Sequence, residues 1–561
     1  MKHKLIAIFS LFSIGLTAQN ELPTEKSLLW EISGNGLKKS SYLYGTMHVS
    51  AKIAFRLDDV FFNALNNADM VALESDPSTW LEHYSEDGSY SNYYNPYGYN
   101  QSGFYKESFK AENPKKEFVG RLMSFDNNIL NGILYRSSKQ RQDFQEDTYL
   151  DMFIYQAGSK QNKPIISLED LDESQMLVDI AGENSRKDKP DVWLQKMMVE
   201  ENYYSIMQEA YRTRNISLLD SLDRGWHTDH YMSHMLYKRN HNMLTVMDSV
   251  MQKGSVFSAI GAAHLPGEEG VINLLRKEGY TVKPYTSERT EKAENEKDKL
   301  DKLFIDQDYS IQSPDDNFFS VNLPDKLHNL GSFNNATNYI STDLTNGAFF
   351  TVTRISKKQF LKSDQEVNLE IIKDLLFENI PGDIESKKDI TNGKWSGIEV
   401  KNKLKNGDLQ HYQMYDTPLE VIIFKLSGKK NYAELYGDKI FSTLKFKSTG
   451  SANSVNVESH FKDFSINMPD FYAFPNKFNA GDREIEAYDA SEDAYYFLKR
   501  VQLNDTRFFE VDSFEVKQIQ KRFLEDLKVW GDIQFENSFK INNFTASRSK
   551  AQIDSASNVN M

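Results

Sequence analysis

Two histidines have the same local setting, one near the start of the chain and one near its middle. His48 ends a Gly-Thr-Met-His segment after the strand-like run Tyr42–Tyr44, and His264 ends a Gly-Ala-Ala-His segment after the apolar run Val256–Ile260. Because open α/β sheets keep their ligand sites at the carboxyl ends of strands, both imidazoles are predicted to face one ligand site. The glycine three residues before each histidine is predicted to let the backbone turn sharply off its strand.

Two carboxylates leave predicted strand ends in the same way. Glu74 follows the run Asp69–Leu73, one predicted helix after the first histidine, and Glu169 follows the run Pro164–Leu168. Acidic side chains are therefore expected to join the two histidines at the same edge of the sheet.

Strands and helices alternate over residues 28–285. The runs Leu28–Ile32 and Ser41–Tyr44 are predicted to pair through a turn at Gly34-Asn35-Gly36, and Leu57–Asn67 has the apolar spacing of a helix. The alternation predicts an N-terminal α/β domain, a mostly parallel sheet with flanking helices. Such a sheet brings several strand ends to one edge, as the predicted site requires.

These segments together resemble the TraB/GumN family, which includes the Tiki metalloproteases and is similar to the erythromycin-esterase and ChaN-type folds. The resemblance covers roughly Leu28–Tyr285, under half of the chain. The segments that carry it are Trp30-Glu31-Ile32, Tyr42–Val49, Ala68–Glu74, Leu168-Glu169, Arg239-Asn240, Gly261–Gly267 and Leu274–Val282.

The resemblance implies a divalent-metal site with His48, Glu74 and His264 as ligands and Mn, Co or Zn as the candidate ions. Two imidazoles and one carboxylate with open positions suit a catalytic first-row metal, which would acidify a water and polarise a carbonyl. The polar atoms of the three side chains are expected within about 5 Å of a common point. The alternative is that both histidines are hydrogen-bonded core residues of an inactive fold.

Three acidic or basic residues are the candidate catalytic groups: Glu74, Glu169 and Arg239. Glu169 would be a fourth ligand, a general base or a group that orients a ligand. Arg239 would either neutralise an anionic intermediate or pair with a core carboxylate.

Four other histidines fall within an arc of ~60° on one predicted helical stretch. They are His227, His230, His234 and His241. His230 and His234 have the spacing of a helical metal pair, but Tyr231 follows where a His-Glu-x-x-His motif has its Glu. Both a second metal site and an ordinary packed helix fit this pattern.

Seven tyrosines lie between Tyr84 and Tyr105 among Ser, Asn and Gly. This stretch is predicted to be irregular and close to the site, because it follows Glu74. It is either a surface insertion or a loop that binds peptides or glycans through its rings.

Composition narrows the class of protein. The chain has 561 residues, enough for two to four domains, and a formal charge of −15, which argues against nucleic acid as a partner. It contains no Cys, which excludes disulfides, thiolate metal sites and a lipid anchor on an N-terminal Cys. Residues 1–19 resemble a signal peptide, and no later stretch has membrane-spanning length. We therefore expect an exported protein, periplasmic or secreted, without an integral membrane segment in the mature chain.

The rest of the chain has a different character. Residues 286–303 are predicted to be a charged linker or an exposed helix. Phe319–Asp325 recurs as Phe464–Asp470, and later segments recur at slightly larger offsets. Residues 304–449 and 455–561 are therefore predicted to be two copies of one α+β module with an antiparallel sheet. The second copy lacks counterparts of the last strands of the first. Three explanations fit: the sequence is a fragment, a partner chain supplies the strands, or the second copy is a shortened module with a covered edge. We favour the fragment.

The sequence as a whole predicts an exported divalent-metal-dependent hydrolase, most specifically a peptidase, acting on a peptide or other small substrate. The C-terminal modules contain no catalytic constellation and are candidates for binding a protein partner. The alternative is a non-catalytic metal- or haem-binding or interaction protein on the same fold. Metal content and hydrolysis of peptides and esters would separate the two.

Overall fold

A computed structural model describes residues 26–82, 146, 148–333, 336–357, 369–448, 454–458, 464–477, 483–499, 511–526, 530–552 and 558–560. The chain divides into two compact units. Unit 1 comprises residues 1–75 and 163–296, and unit 2 comprises residues 76–162 and 297–561. The predicted signal peptide and the tyrosine-rich stretch lie outside the described residues.

The elements up to residue 302 alternate between strand and helix. In chain order they are β1 (Leu29–Gly34), β2 (Ser41–Thr46), α1 (Asp59–Asn67), β3 (Met70–Leu73), α2 (Leu150–Lys160), β4 (Ile165–Ser167), α3 (Leu171–Glu183), α4 (Val192–Glu200), α5 (Tyr203–Arg212), α6 (Ile216–Trp226), α7 (Asp229–Tyr231), α8 (Lys238–Met251), β5 (Val256–Gly261), α9 (Val271–Lys277), β6 (Tyr280–Pro284) and α10 (Glu291–Lys302). A π-helix, Met232–Tyr237, connects α7 to α8.

Unit 1 is built on a six-stranded mixed sheet in the order β4-β3-β5-β2-β1-β6. The strands β4, β3, β5 and β2 run parallel, and β1 is antiparallel to both of its neighbours. The predicted α/β architecture is confirmed, as is the antiparallel pair β1–β2. Gly34, Asn35 and Gly36 all have positive φ in its turn, which glycine and asparagine tolerate best. Every residue of the central β5 is buried, as expected of a strand covered on both faces.

Helix α1 carries the chain from β2 to β3 and is capped at both ends. At its start, the side chain of Asp58 accepts a hydrogen bond from the Phe61 N–H, as a good N-cap residue does. At its end, the Lys163 ammonium, at the entry to β4, donates to the carbonyls of Leu65, Asn66 and Ala68. These carbonyls lie at the negative end of the helix dipole. The lysine thereby couples α1 to the strand beyond β3.

The elements after residue 302 are mainly antiparallel strands. They are β7 (Ser310–Gln312), β8 (Phe319–Leu323), β9 (His328–Phe333), β10 (Ala336–Asp343), β11 (Ala348–Ser356), α11 (Leu369–Asn379), β12 (Asp383–Asn392), β13 (Trp395–Lys403), β14 (Leu409–Asp416), β15 (Glu420–Gly428), α12 (Tyr432–Phe441), β16 (Lys445–Phe446), β17 (Ser454–Glu458), β18 (Ser465–Pro469), β19 (Tyr472–Lys477), β20 (Arg483–Asp489), β21 (Ala494–Lys499), α13 (Asp512–Asp526), β22 (Trp530–Phe535), β23 (Phe539–Ile541), β24 (Phe544–Ala546), β25 (Ser549–Gln552) and β26 (Asn558–Asn560).

Unit 2 is organised around a seven-stranded antiparallel sheet in the order β12-β13-β14-β15-β11-β10-β9, beside a three-stranded sheet β16-β8-β7. Helix α2 belongs to this unit and is almost wholly buried. Its Gln156 Nε2 donates to the Leu344 carbonyl at 2.9 Å, and its Lys160 Nζ donates to the Leu300 carbonyl at 2.8 Å. The charged stretch before β7 contains α10, in which Ala293 and Leu300 are buried.

The C-terminal region is antiparallel, but the two repeated modules are not confirmed. From β17 onward the described strands form small separate sheets, β17-β18, β19-β20-β21, β22-β25-β26 and β23-β24, rather than a second seven-stranded sheet. The ring of Phe471, which precedes β19, lies 5.1 Å from that of Phe318 and 5.5 Å from that of Trp395. This segment therefore shares a core with the strands before it.

No described helix is both long and apolar enough to cross a membrane.

Candidate metal centre

Three neighbouring parallel strands bring the predicted ligands together. His48 lies two residues beyond β2, Glu74 directly follows β3, and His264 ends a 3₁₀ turn that directly follows β5. Because β5 lies between β3 and β2 in the sheet, the carboxyl ends of all three strands meet at one edge. This is the edge at which such sheets keep their ligands.

The two imidazoles converge on one carboxylate oxygen. Nε2 of His48 and Nε2 of His264 each lie 3.8 Å from Glu74 Oε1. The same oxygen accepts a hydrogen bond of 2.6 Å from the Gly261 N–H. His264 is 6% exposed and Glu74 16%, whereas His48 is 46% exposed. The cluster is therefore accessible from the His48 side.

The glycines of the two Gly-x-x-His segments provide space rather than a sharp turn, so the expected reason for them is wrong. Neither Gly45 nor Gly261 has a positive φ. A Cβ on Gly45 would lie 3.1 Å from Ala262 Cβ, so the two segments pack directly against each other. A Cβ on Gly261 would lie 3.2 Å from Glu74 Oε1 and 3.4 Å from His48 Nε2. It would occupy the space between the ligands.

Glu169 and Arg239 form the inner wall of the cluster. Arg239 donates from Nε and Nη2 to the two oxygens of Glu169, at 2.8 and 2.6 Å, and from Nη2 to Glu74 Oε2 at 3.0 Å. Its Nη1 donates to the Met235 carbonyl at 3.2 Å. The guanidinium thus holds two carboxylates in a fixed arrangement, with Glu169 only 3% exposed.

Sequence reasoning assigned no role to two residues that support the site. Asn240 Oδ1 lies 2.6 Å from His264 Nδ1, and the buried Tyr211 hydroxyl donates to the Gly45 carbonyl at 3.1 Å. Asn240 follows Arg239 directly, which was the one available signal. Tyr211 lies on α5, and no motif or spacing connects it to the strand ends.

The ring nitrogens of the four other histidines contact protein groups, as an ordinary packed helix predicts. A ring nitrogen of His227 bonds to the Ser185 carbonyl, one of His230 to the Ile180 carbonyl, and one of His241 to the Glu269 carboxylate, each at 2.9 Å. His234 bonds through Nδ1 to the His230 carbonyl. The π-helix also disturbs the helical phase that the sequence pattern assumed.

The chain was compared with known proteins. Residues 28–96 and 117–284 match the sequence profile of the TraB/PrgY/gumN family. This match covers most of the N-terminal region. Among curated proteins, none matches the chain. A crystal structure from Bacteroides thetaiotaomicron VPI-5482 matches at 17% identity over 28% of this chain and 54% of that one, so the chain spans about half of its length. Its TM-score of 0.17 is too low to support a structural argument.

The charges of the cluster around Glu74 follow from burial and close partners. Burial alone would raise the pKa of Glu74, but His264, His48, Arg239 and the Gly261 N–H together lower the pKa to about 2. Burial lowers the pKa of His264 to about 4, although Glu74 opposes this. Near neutral pH the site therefore presents an ionised carboxylate and a neutral imidazole.

The two remaining charged groups stabilise each other. Burial raises the pKa of Glu169, and Arg239 opposes that rise. Although burial acts against its charge, the two carboxylates raise the pKa of Arg239 further. The guanidinium accordingly stays charged.

Two imidazole nitrogens and one carboxylate oxygen are atom types that bind divalent ions. Two ligands of one ion, each bonded at about 2 Å, lie at most about 4 Å apart, and each imidazole nitrogen lies within that limit of Glu74 Oε1. The absence of a Cβ at Gly261 leaves space among them. Among the described residues, no group of three or more His, Asp or Glu side chains is placed so that it could hold a metal ion as the side chains stand.

Proposed function

We propose that unit 1 is a divalent-metal-dependent hydrolase, with His48, Glu74 and His264 as the metal ligands and Mn, Co or Zn as the candidate ions. The observation that supports this is the approach of both imidazole Nε2 atoms to one ionised carboxylate oxygen at the carboxyl edge of the sheet. Such an ion supplies Lewis acidity toward water and toward a carbonyl oxygen.

The other charged residues have positioning roles in this proposal. Both oxygens of Glu169 accept hydrogen bonds from Arg239, which makes Glu169 an orienting group rather than a general base. Arg239 in turn holds Glu74 Oε2, so Oε1 points to the imidazoles. With its three nitrogens donating to protein acceptors, Arg239 does not act as the group that neutralises an anionic intermediate.

We propose a peptide as the substrate, because the TraB/GumN resemblance includes the Tiki metalloproteases. Substrate would approach from the side of His48, the most exposed of the three proposed ligands. Action outside the cytoplasm is proposed from residues 1–19, whose basic start and apolar core resemble a signal peptide.

The test combines metal content with hydrolysis. Full-length protein is loaded with Mn²⁺, Co²⁺ or Zn²⁺, analysed by mass spectrometry for bound metal, and assayed on peptides and esters. His264→Ala should lose metal and activity together, with an unchanged far-UV spectrum, because the core strands form without a catalytic ion. His241→Ala is the matched control, since His241 bonds to Glu269 away from the cluster.

Two results would count against the proposal. Full activity in His264→Ala would reject the assigned site. Metal binding that depends on His264, without hydrolysis of any peptide or ester, would identify a non-catalytic metal-binding protein instead.

A further inference from the structure

The hydrogen bonds of Asn240 determine which nitrogen of His264 carries a proton. Asn240 Nδ2 donates to the backbone carbonyl of Glu269 at 2.7 Å, and a carbonyl oxygen can only accept. The amide is therefore oriented with Oδ1 toward His264, 2.6 Å from Nδ1. Because Oδ1 can also only accept, Nδ1 carries the hydrogen and Nε2 carries a lone pair.

That lone pair faces a second acceptor. Nε2 of His264 lies 3.8 Å from Glu74 Oε1, and the two side chains are only 6% and 16% exposed. Two acceptors that face each other at this distance repel unless a positive charge or a donor lies between them. The tautomer fixed by Asn240 is therefore the one that favours a cation beside His264.

We propose that Asn240 is a positioning residue that presents Nε2 of His264 to the ion, an inference that rests on the proposed function. Asn240 is 1% exposed, so its two bonds are protected from water. An amide orients the ring without adding a third carboxylate next to Glu74 and Glu169. Through Glu269 it also ties the imidazole to the loop that follows it.

The first readout is the tautomer of His264 in metal-free protein. Histidine labelled with ¹⁵N is observed by NMR at about pH 8, where a neutral ring reports its tautomer, and His264→Gln identifies the signal. The wild type should carry hydrogen on Nδ1. Asn240→Leu removes the acceptor and should give a mixture of tautomers. Asn240→Ala takes the place of the leucine variant if leucine does not fit.

The matched control is Asn273→Leu. Asn273 lies on α9, and its Nδ2 donates at 2.9 Å to the carbonyl of Glu268 in the loop before that helix. The variant therefore removes a similar bond without changing the partner of His264. The tautomer of His264 in Asn273→Leu should stay as in the wild type. A purely structural role for Asn240 predicts lower stability with unchanged ring signals, and that result would overturn the inference, as would hydrogen on Nε2 in the wild type.

The second readout is affinity for Zn²⁺ and Mn²⁺ by calorimetry. Loss of a group that orients a ligating histidine weakens metal binding by about 10–100-fold, so Asn240→Leu should show that loss and Asn273→Leu should not. Unchanged affinity in Asn240→Leu would overturn the positioning role. Absence of binding in the wild type would reject the proposed function itself, a failure that the tautomer measurement distinguishes from a failure of the Asn240 assignment.

Discussion

Gly261 determines the free space among the proposed ligands. An ideal Cβ at this position would meet Glu74 Oε1 at 3.2 Å, and His48 Nε2 and His264 Cδ2 at 3.4 Å each. The contact with Glu74 Oε1 is tighter than most side chains make, so this carboxylate would have to move by a few tenths of an ångström. The backbone itself tolerates alanine, because φ of Gly261 is −52°.

We therefore expect Gly261→Ala to keep the fold and to lower metal affinity by about 10-fold or more, since ligand geometry governs affinity. Calorimetric metal titration and thermal unfolding measure the two effects. Gly182→Ala is the control, because a Cβ there meets nothing within 4 Å. It should leave affinity unchanged and alter stability by no more than about 1 kcal/mol. Equal affinity in both variants would show that the space at Gly261 has no role.

At this scale the sequence predicted that His48, Glu74 and His264 lie close together, but not the contacts around them. His48, Glu74 and His264 could be identified because each leaves a strand, and parallel strands share an edge. The bidentate bond between Arg239 and Glu169 could not, because the two residues lie 70 positions apart and no local pattern connects them. The hydroxyl of Tyr211 reaches Gly45 from a helix whose docking depends on tertiary packing.

Helix α1 depends on Lys163 for the satisfaction of its last carbonyls. The ammonium bonds to three carbonyl oxygens at the C-terminal end of the helix, and burial lowers its pKa. Replacement by methionine keeps the aliphatic stem and leaves these oxygens without their donor. The strands before and after α1 lead to His48 and Glu74, so a change in the position of α1 would also affect these two side chains.

Lys163→Met should lower the free energy of unfolding by about 1–3 kcal/mol, as expected when partly buried acceptors lose their partner. Urea denaturation followed by fluorescence measures this change. Lys39→Met is the comparison, because Lys39 pairs with Asp69 in an exposed ion pair and should cost at most about 1 kcal/mol. Similar losses in the two variants would contradict the capping role.

At the scale of elements, periodicity and strand-end patterns predicted unit 1 well. The apolar run Val256–Ile260 became the buried central strand β5, and the turn at Gly34–Gly36 joins β1 to β2. The repeat in unit 2 was less informative, because similar short segments do not determine how strands join into sheets. Phe471 packs against Phe318, a long-range contact that a local pattern cannot reveal.

At the scale of the whole molecule, a fully buried cluster of three charged residues lies in unit 2. Arg354 bonds to Asp316 at 2.7 Å and to Glu420 at 2.9 Å, and all three side chains are fully buried. One guanidinium thus faces two carboxyl groups. Burial raises the pKa of Glu420 to about 7, despite the opposing effect of Arg354, and Asp316 adds to the rise.

The sign of the pH effect follows from this shift. The folded protein binds the Glu420 proton more tightly than the unfolded chain, whose ordinary pKa is 4.5. The contribution of this group is therefore most favourable below pH 4.5 and is lost as pH rises through about 7, by about 3 kcal/mol in total. Glu420→Gln should remove that part of the slope. Urea unfolding of unit 2 at several pH values measures it, with the exposed Glu434→Gln as control. If the free energy of unfolding changes with pH equally in the wild type and in Glu420→Gln, the raised pKa of Glu420 would be contradicted.

Helix α2 lies within the family match, but the residues it bonds to lie beyond the end of that match. The family match includes residues 150–160, yet ten of the eleven residues of α2 are buried, and Gln156 and Lys160 bond to carbonyls at residues 344 and 300. A shortened chain that ends at residue 284 would keep the helix and lose both acceptors. Within the matched region, α2 therefore bonds to residues that lie beyond the end of the match. If the matched residues alone were fused to another protein, α2 would lose the residues that bury it.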